Sequence, residues 1–161
     1  MTRTIIIFFN LLLAAMLAGT MFGIWIGYNP IDLSASGYVE QQQNMIRQLK
    51  VLMPLLGYLT IVLTLISAFL QKQSKIVFIS LLIAVTLMVV SGLITRFGNQ
   101  PINDIVMTWS INSPPDNWIE LRDKWSTLHM IRTNFVLFAL SIIIITGIRS
   151  NKIVTTTTKR H

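Results

Sequence analysis

Four long apolar stretches, separated by polar connections of very unequal length, dominate the pattern of this chain: approximately Ile5–Ile26, Val51–Leu70, Ile76–Thr95 and Ile131–Ile148. A helix rises about 1.5 Å per residue, so each is long enough to cross a hydrocarbon core about 30 Å thick. The first is longer than the apolar core of a cleaved signal peptide and carries no charge, which reads as a retained span. The predicted fold is therefore all-α, one domain over 1–161, an integral membrane four-helix bundle. Its fourth helix is long enough to project above the membrane, and its outer loops, 28–50 and 96–130, form a helical cap.

The polar connections refine this. Tyr28-Asn29-Pro30 ends the first span, and from about Tyr38 a glutamine-rich run reads as polar helix leading into span 2. Pro54 near the start of that span fits a first turn, or else a kink. Spans 2 and 3 form a hairpin around the turn 71–75. Span 3 is expected to stop at Arg96-Phe97-Gly98 with a left-handed cap at Gly98, followed by a short helix over Asn103–Ser110. Ser113-Pro114-Pro115-Asp116 has the chemistry of a helix start, from which one helix runs to Ile148. The basic tail, 150–161, is expected to be disordered. Along span 1, Ala15, Gly19, Gly23 and Gly27 form a ridge of small residues. Such a ridge lets helices approach closely, either within the bundle or as the seam of a homo-oligomer.

Composition agrees: 53% of the 161 residues are hydrophobic and only 12% are charged, the profile of a chain whose solvent is lipid. Absence of cysteine removes disulfides, thiolate metal sites, iron–sulfur clusters and covalent haem attachment. One usable histidine, with no carboxylate inside a span, argues against a protein metal site or an ion-translocating pathway. No metal and no cofactor is expected, and the net charge of +7 suits anionic lipid headgroups rather than nucleic acid. Arg3, Lys72, Lys75, Arg149, Lys152, Lys159 and Arg160 crowd short segments against the spans without any acid. The other six basic residues, Arg132 at the mouth of span 4 included, lie on the side of the long loops with all six acids. Positive charge in short flanking segments marks the cytoplasmic side. Both termini are accordingly expected in the cytoplasm of a plasma or inner membrane.

Chemistry concentrates in one place. Trp118, Arg122, Trp125, His129 and Arg132 recur at steps of four, three, four and three. At about 100° per residue they fall within an arc of about 80° on one helix face. Such groups are costly in lipid and should face the protein interior or the headgroup layer. As a pocket, the stripe offers His129 as a base, Arg132 and Arg122 as anion partners, and flat apolar walls from tryptophan. Asn99, Asn103 and Trp109 precede it in the same outer region. As plain structure, the same residues anchor the interface.

The run Asn99-x-Pro101-x-Asn103, then Trp109, Pro114-Pro115-x-x-Trp118 and Arg122-x-x-Trp125-x-x-x-His129-x-x-Arg132-Thr133, resembles the anthrone oxygenase family. These are small four-span membrane proteins, mostly classed as a domain of unknown function. The glycine-rich first span closing on Pro30 is similar too, although the specific motifs lie within 99–133. The resemblance implies a cofactor-free oxidation by O2 of a hydrophobic aromatic compound, converting an anthrone to an anthraquinone at the outer membrane interface. It implies His129, Arg132 and Arg122 as catalytic residues, with Asn99, Asn103, Trp109, Trp118 and Trp125 around the substrate. The rival expectation is a non-enzymatic scaffold or accessory subunit that packs through the small-residue ridge.

Overall fold

The computed structural model describes the backbone of residues 2–158 and the side chains of residues 2–149. Six α-helices follow one another: α1 (Thr2–Gly27), α2 (Ala35–Leu49), α3 (Leu52–Leu70), α4 (Lys75–Ile94), α5 (Gln100–Val106) and α6 (Trp118–Thr158). Four of the helical segments are long and apolar enough to cross a membrane: Thr2–Asp32, Leu52–Leu70, Lys75–Val106 and Trp118–Arg149. Their outward faces expose Phe8, Phe9, Tyr58, Phe69, Phe97 and Phe138. So much apolar surface around the waist of a bundle has one sensible solvent, the bilayer. The chain is an integral, multi-pass membrane protein of all-α fold.

The long helices stand in a square. α1 packs against α3 and α6, and α4 packs against the same two, so α1 and α4 face each other across the bundle. Small residues make the close approaches: Ala14, Ala68, Ala84 and Ala139 sit buried in one core cluster with Leu81, Met88 and Ile143. A second cluster joins Leu17, Ala18 and Met21 of α1 to Leu56 of α3 and Val136 of α6. At the end bearing the short turn 71–74, Thr64 Oγ1 donates to Asn10 Oδ1 (2.8 Å) and Arg3 donates to Gln71 Oε1 (3.2 Å). The far end is capped by α2 and α5, whose core with Trp125 is Ile102 and Val106.

Several local expectations change. Span 3 does not stop at Gly98, and among the described residues no glycine has a positive φ. Instead Thr95–Asn99 widen into a π-turn that hands α4 directly to α5. The extra residue allows a four-four step, so that Ser91, Thr95 and Asn99 all meet α6. Gly98 serves close approach rather than a turn: a Cβ there would lie 2.9 Å from Leu128 Cδ1. The short helix consequently begins at Gln100, with Pro101 in its first turn, and ends at Val106. α6 starts at Trp118 rather than at Pro114. Pro115 restricts Pro114 to extended backbone, delaying the helix until a turn closes from Trp118 N to Pro115 O (3.1 Å).

The ridge on α1 is also placed differently from packing within the bundle. Ala15, Gly19, Gly23 and Gly27 are all exposed, and a Cβ at any of the three glycines would meet nothing within 4 Å. The last helix does not end at Ile148, as α6 runs on to Thr158 through the tail expected to be disordered; the side chains of 150–161 lie outside the described residues.

Candidate functional site

Near the loop end of the bundle, the stripe on α6 meets four other helices. Trp125 is only 4% exposed and lies flat on the His129 ring, with centroids 5.0 Å apart and planes 2° from parallel. Its indole N–H donates to Asn103 Oδ1 (2.9 Å), an oxygen that Gln42 Nε2 approaches at 3.4 Å. Asn99, fully buried, donates through Nδ2 to the Trp125 carbonyl (3.0 Å). The indole is thus fixed by stacking and hydrogen bonding from α5, the π-turn and its own helix.

The histidine is more constrained still. His129 Nε2 lies 3.0 Å from the Met21 carbonyl of α1. A carbonyl can only accept, so Nε2 carries the proton and Nδ1 is left as the acceptor. Nδ1 receives a hydrogen bond from Arg132 Nη2 at 2.9 Å. Arg132 Nη1 donates to Thr95 Oγ1 (3.0 Å), and Thr95 in turn donates to the Ser91 carbonyl (2.9 Å). Ser91 Oγ closes the circuit on the Arg132 carbonyl (3.1 Å). One continuous polar chain therefore runs from α1 through α6 to α4 across the bundle. His129 holds the guanidinium from one side and Thr95 from the other. The third guanidinium nitrogen, Arg132 Nε, has no partner among the described residues.

Arg132 stands where two cavities meet. The larger, about 330 Å³, lies inside the square of helices between Leu17, Met21, Ile61, Met88 and Val136, and its wall is mostly apolar. The second, about 260 Å³, lies beneath α2 and α5 and carries Asn103, Trp125, Lys50 and Asp104 on its wall. Met53, Pro54, Thr95, Gln100 and Arg132 border both. The two adjoin at these residues as a bent cleft, almost wholly apolar in the bundle and more polar at the loop end. Either volume is near the lower limit of small-molecule sites.

The upper stripe has another neighbour. Trp118 packs on Tyr38 of α2 (centroids 5.6 Å), and the Arg122 guanidinium lies 4.9 Å above the Trp118 ring. Arg122 Nε also donates to the adjacent Asp123 (2.8 Å), and Tyr28 meets Trp125 edge-on. Burial pushes the Tyr38 phenol up to about 12; Arg122 draws it down and Asp123 raises it. Trp109 flanks the α5–Trp125 cluster and gives its carbonyl to Gln43 Nε2 (2.9 Å). None of Trp109, Trp118 and Arg122 borders either cavity. They fasten α2 and the 107–117 segment onto α6.

Of the residues singled out from sequence, the structure thus joins Asn99, Asn103, Trp125, His129 and Arg132 in one network, and sets Trp109, Trp118 and Arg122 in the cap. Sequence reasoning missed Thr95 and the Met21 carbonyl, which orient the arginine and histidine. It also missed Gln42 and the cleft walls of α3. The i,i+4 and i,i+8 offsets of Ser91 and Thr95 from Asn99 were the one available signal. A backbone carbonyl leaves none.

These features define a class: a four-span membrane bundle with an internal cleft and a half-buried guanidinium held by hydrogen bonds. The family model for anthrone oxygenases matches residues 43–142, and the chain belongs to the anthrone oxygenase family. The match takes in α3 to α5, the C-terminal half of α2 and the α6 segment bearing the stripe. No curated protein and no solved structure gives a significant match.

Proposed function

We propose that the protein binds a hydrophobic aromatic compound with an ionisable oxygen in this cleft, and oxidises it with O2. The single observation carrying this reading is Arg132, a guanidinium held by His129 and Thr95 between an apolar chamber and a more polar one. A fixed cation beside an apolar wall stabilises an enolate or phenolate as it forms, without reorganisation cost. For an anthrone-type substrate, one methylene proton leaves and the resulting anion is electron-rich enough to react with O2. One oxygen atom ends in the new carbonyl. The other leaves as water, with both methylene hydrogens.

In this account Arg132 is the anion partner, and Trp125 and Asn103 form the wall at the loop end. His129 is a positioning residue rather than the base, because its one free lone pair already points at Arg132. The departing proton goes toward the loop-side chamber, where Asp104 is the carboxylate on the wall. Arg122 and Trp118 support the cap.

A non-enzymatic subunit is the alternative, favoured by the exposed Ala15–Gly27 ridge, which no part of this bundle covers. It would pack there against a second copy or another membrane protein.

A hydroxyanthraquinone separates the two readings, because its visible spectrum changes when its phenol ionises. Bound beside Arg132, it is expected to show the ionised spectrum at a pH where the free compound is neutral, and to lose that shift with Arg132→Met. An unshifted spectrum, or one identical in the variant, overturns the anion-site reading.

A further inference from the structure

We propose that the site is filled sideways from the bilayer, through a gap between α3 and α4 whose sill is formed by Gly57, Tyr58 and Gly92. The inference rests on the ligand-site reading above, which makes the larger chamber the seat of an apolar molecule.

The wall of that chamber is asymmetric. Its α1 and α6 residues Leu17, Met21 and Val136 are buried, and Arg132 of α6 is half-buried. Its exposed residues, Pro54, Tyr58, Gly92 and Arg96, all belong to α3, α4 and the π-turn continuing α4. The opening therefore lies between those two helices. Tyr58 stands six residues into α3, roughly 9 Å from its start at about 1.5 Å per residue. That depth is hydrocarbon in a span of only 19 residues. The two glycines keep the gap clear: a Cβ at Gly57 or at Gly92 would meet nothing within 4 Å. Glycine is a poor choice in a helix interior, costing about 1 kcal/mol relative to alanine. Where no neighbour demands a missing side chain, open space is what remains to explain it. Arg96 marks the loop-side edge of the opening; below it the wall is mostly apolar, and Arg132 is the charge on the inner side of the chamber. The loop-side chamber has a different mouth, with Lys50, Asp104 and Met107 exposed, and suits water, protons and small polar species.

Absence of cysteine makes the test clean, since an introduced thiol is the only one in the chain. Ile61→Cys places it on the chamber wall. In lipid nanodiscs it is treated with an apolar benzyl methanethiosulfonate or with a charged sulfonatoethyl one. Lateral entry predicts faster labelling by the apolar reagent, slowed tenfold or more by Gly92→Leu and unchanged by Met107→Trp. Leu93→Cys, which faces lipid directly, must label equally with and without Met107→Trp, and serves as the reference rate. Labelling slowed by Met107→Trp instead, or faster with the charged reagent, overturns lateral entry; so does an Ile61→Cys thiol that neither reagent reaches. Because labelling needs neither ligand nor turnover, a failed functional reading leaves it intact. Conversely, oxidation lost with Arg132→Met but untouched by Gly92→Leu would keep the function and discard the door.

Discussion

Removing the charge at the centre of the site should cost the fold less than removing the neutral ring beside it. Arg132→Met gives up two charge-assisted hydrogen bonds, to His129 and Thr95, each worth about 1.5–3 kcal/mol. It also relieves the desolvation of a guanidinium whose Nε has no partner, and replacing a buried charge by a well-packed apolar group is often neutral or better. These effects nearly cancel, so the expected change is within about 1 kcal/mol. His129→Ala is different. It removes the α1–α6 tie to the Met21 carbonyl and the stack on Trp125, the latter worth about 0.5–1.5 kcal/mol. It also strips a partner from a half-buried cation, a change whose cost approaches about 3–5 kcal/mol only for full burial and is smaller here. Reversible unfolding in mixed micelles, followed by tryptophan fluorescence, measures both. An arginine variant less stable than the histidine variant would refute the view that His129 exists to hold Arg132.

Asn103→Ala leaves the Trp125 indole N–H without its acceptor in a buried setting, an expected loss of about 1–3 kcal/mol, with a changed Trp125 environment visible in emission. Gly98→Ala should cost about 1 kcal/mol as Leu128 gives way, whereas Gly19→Leu, which meets no neighbour and removes glycine's helix penalty, should leave the monomer at least as stable, both read by the same unfolding assay. Trp118→Ala is expected to loosen the α2 cap, seen as faster amide exchange in 35–49, while leaving ligand affinity within about twofold. Because Tyr38 ionises near 12 when folded and near 10 when unfolded, the folded state binds its proton more tightly. That contribution is full below pH 10 and fades toward pH 12. Over that interval the melting temperature of Tyr38→Phe should therefore fall less steeply than that of the wild-type chain.

The bundle was legible because spans announce themselves by length and hydropathy, which do not depend on the details of packing. The stripe on α6 was legible for a similar reason, since helical period alone puts Trp118 to Arg132 on one face. Period does not say what that face meets at each height. At His129 and Arg132 it meets α1 and α4 inside the square, and forms the site. At Trp118 and Arg122, two to three turns higher, the same face meets α2 and forms packing. Gly98 is ambiguous in sequence because glycine after a span signals a cap as readily as a close approach, and only the position of Leu128 decides. The cleft was invisible, since Pro54, Gly57, Met88 and Gly92 are ordinary residues in a span and a cavity is defined by what no residue fills.

The most direct test of the central claim is oxygen uptake by the purified, chelator-treated protein in nanodiscs supplied with a simple anthrone. Uptake is expected above the spontaneous rate, abolished by Arg132→Met and largely retained by His129→Asn, whose amide oxygen can still accept from Arg132 but cannot serve as a base. Uptake no faster than the spontaneous reaction, or uptake that survives Arg132→Met, would contradict that claim.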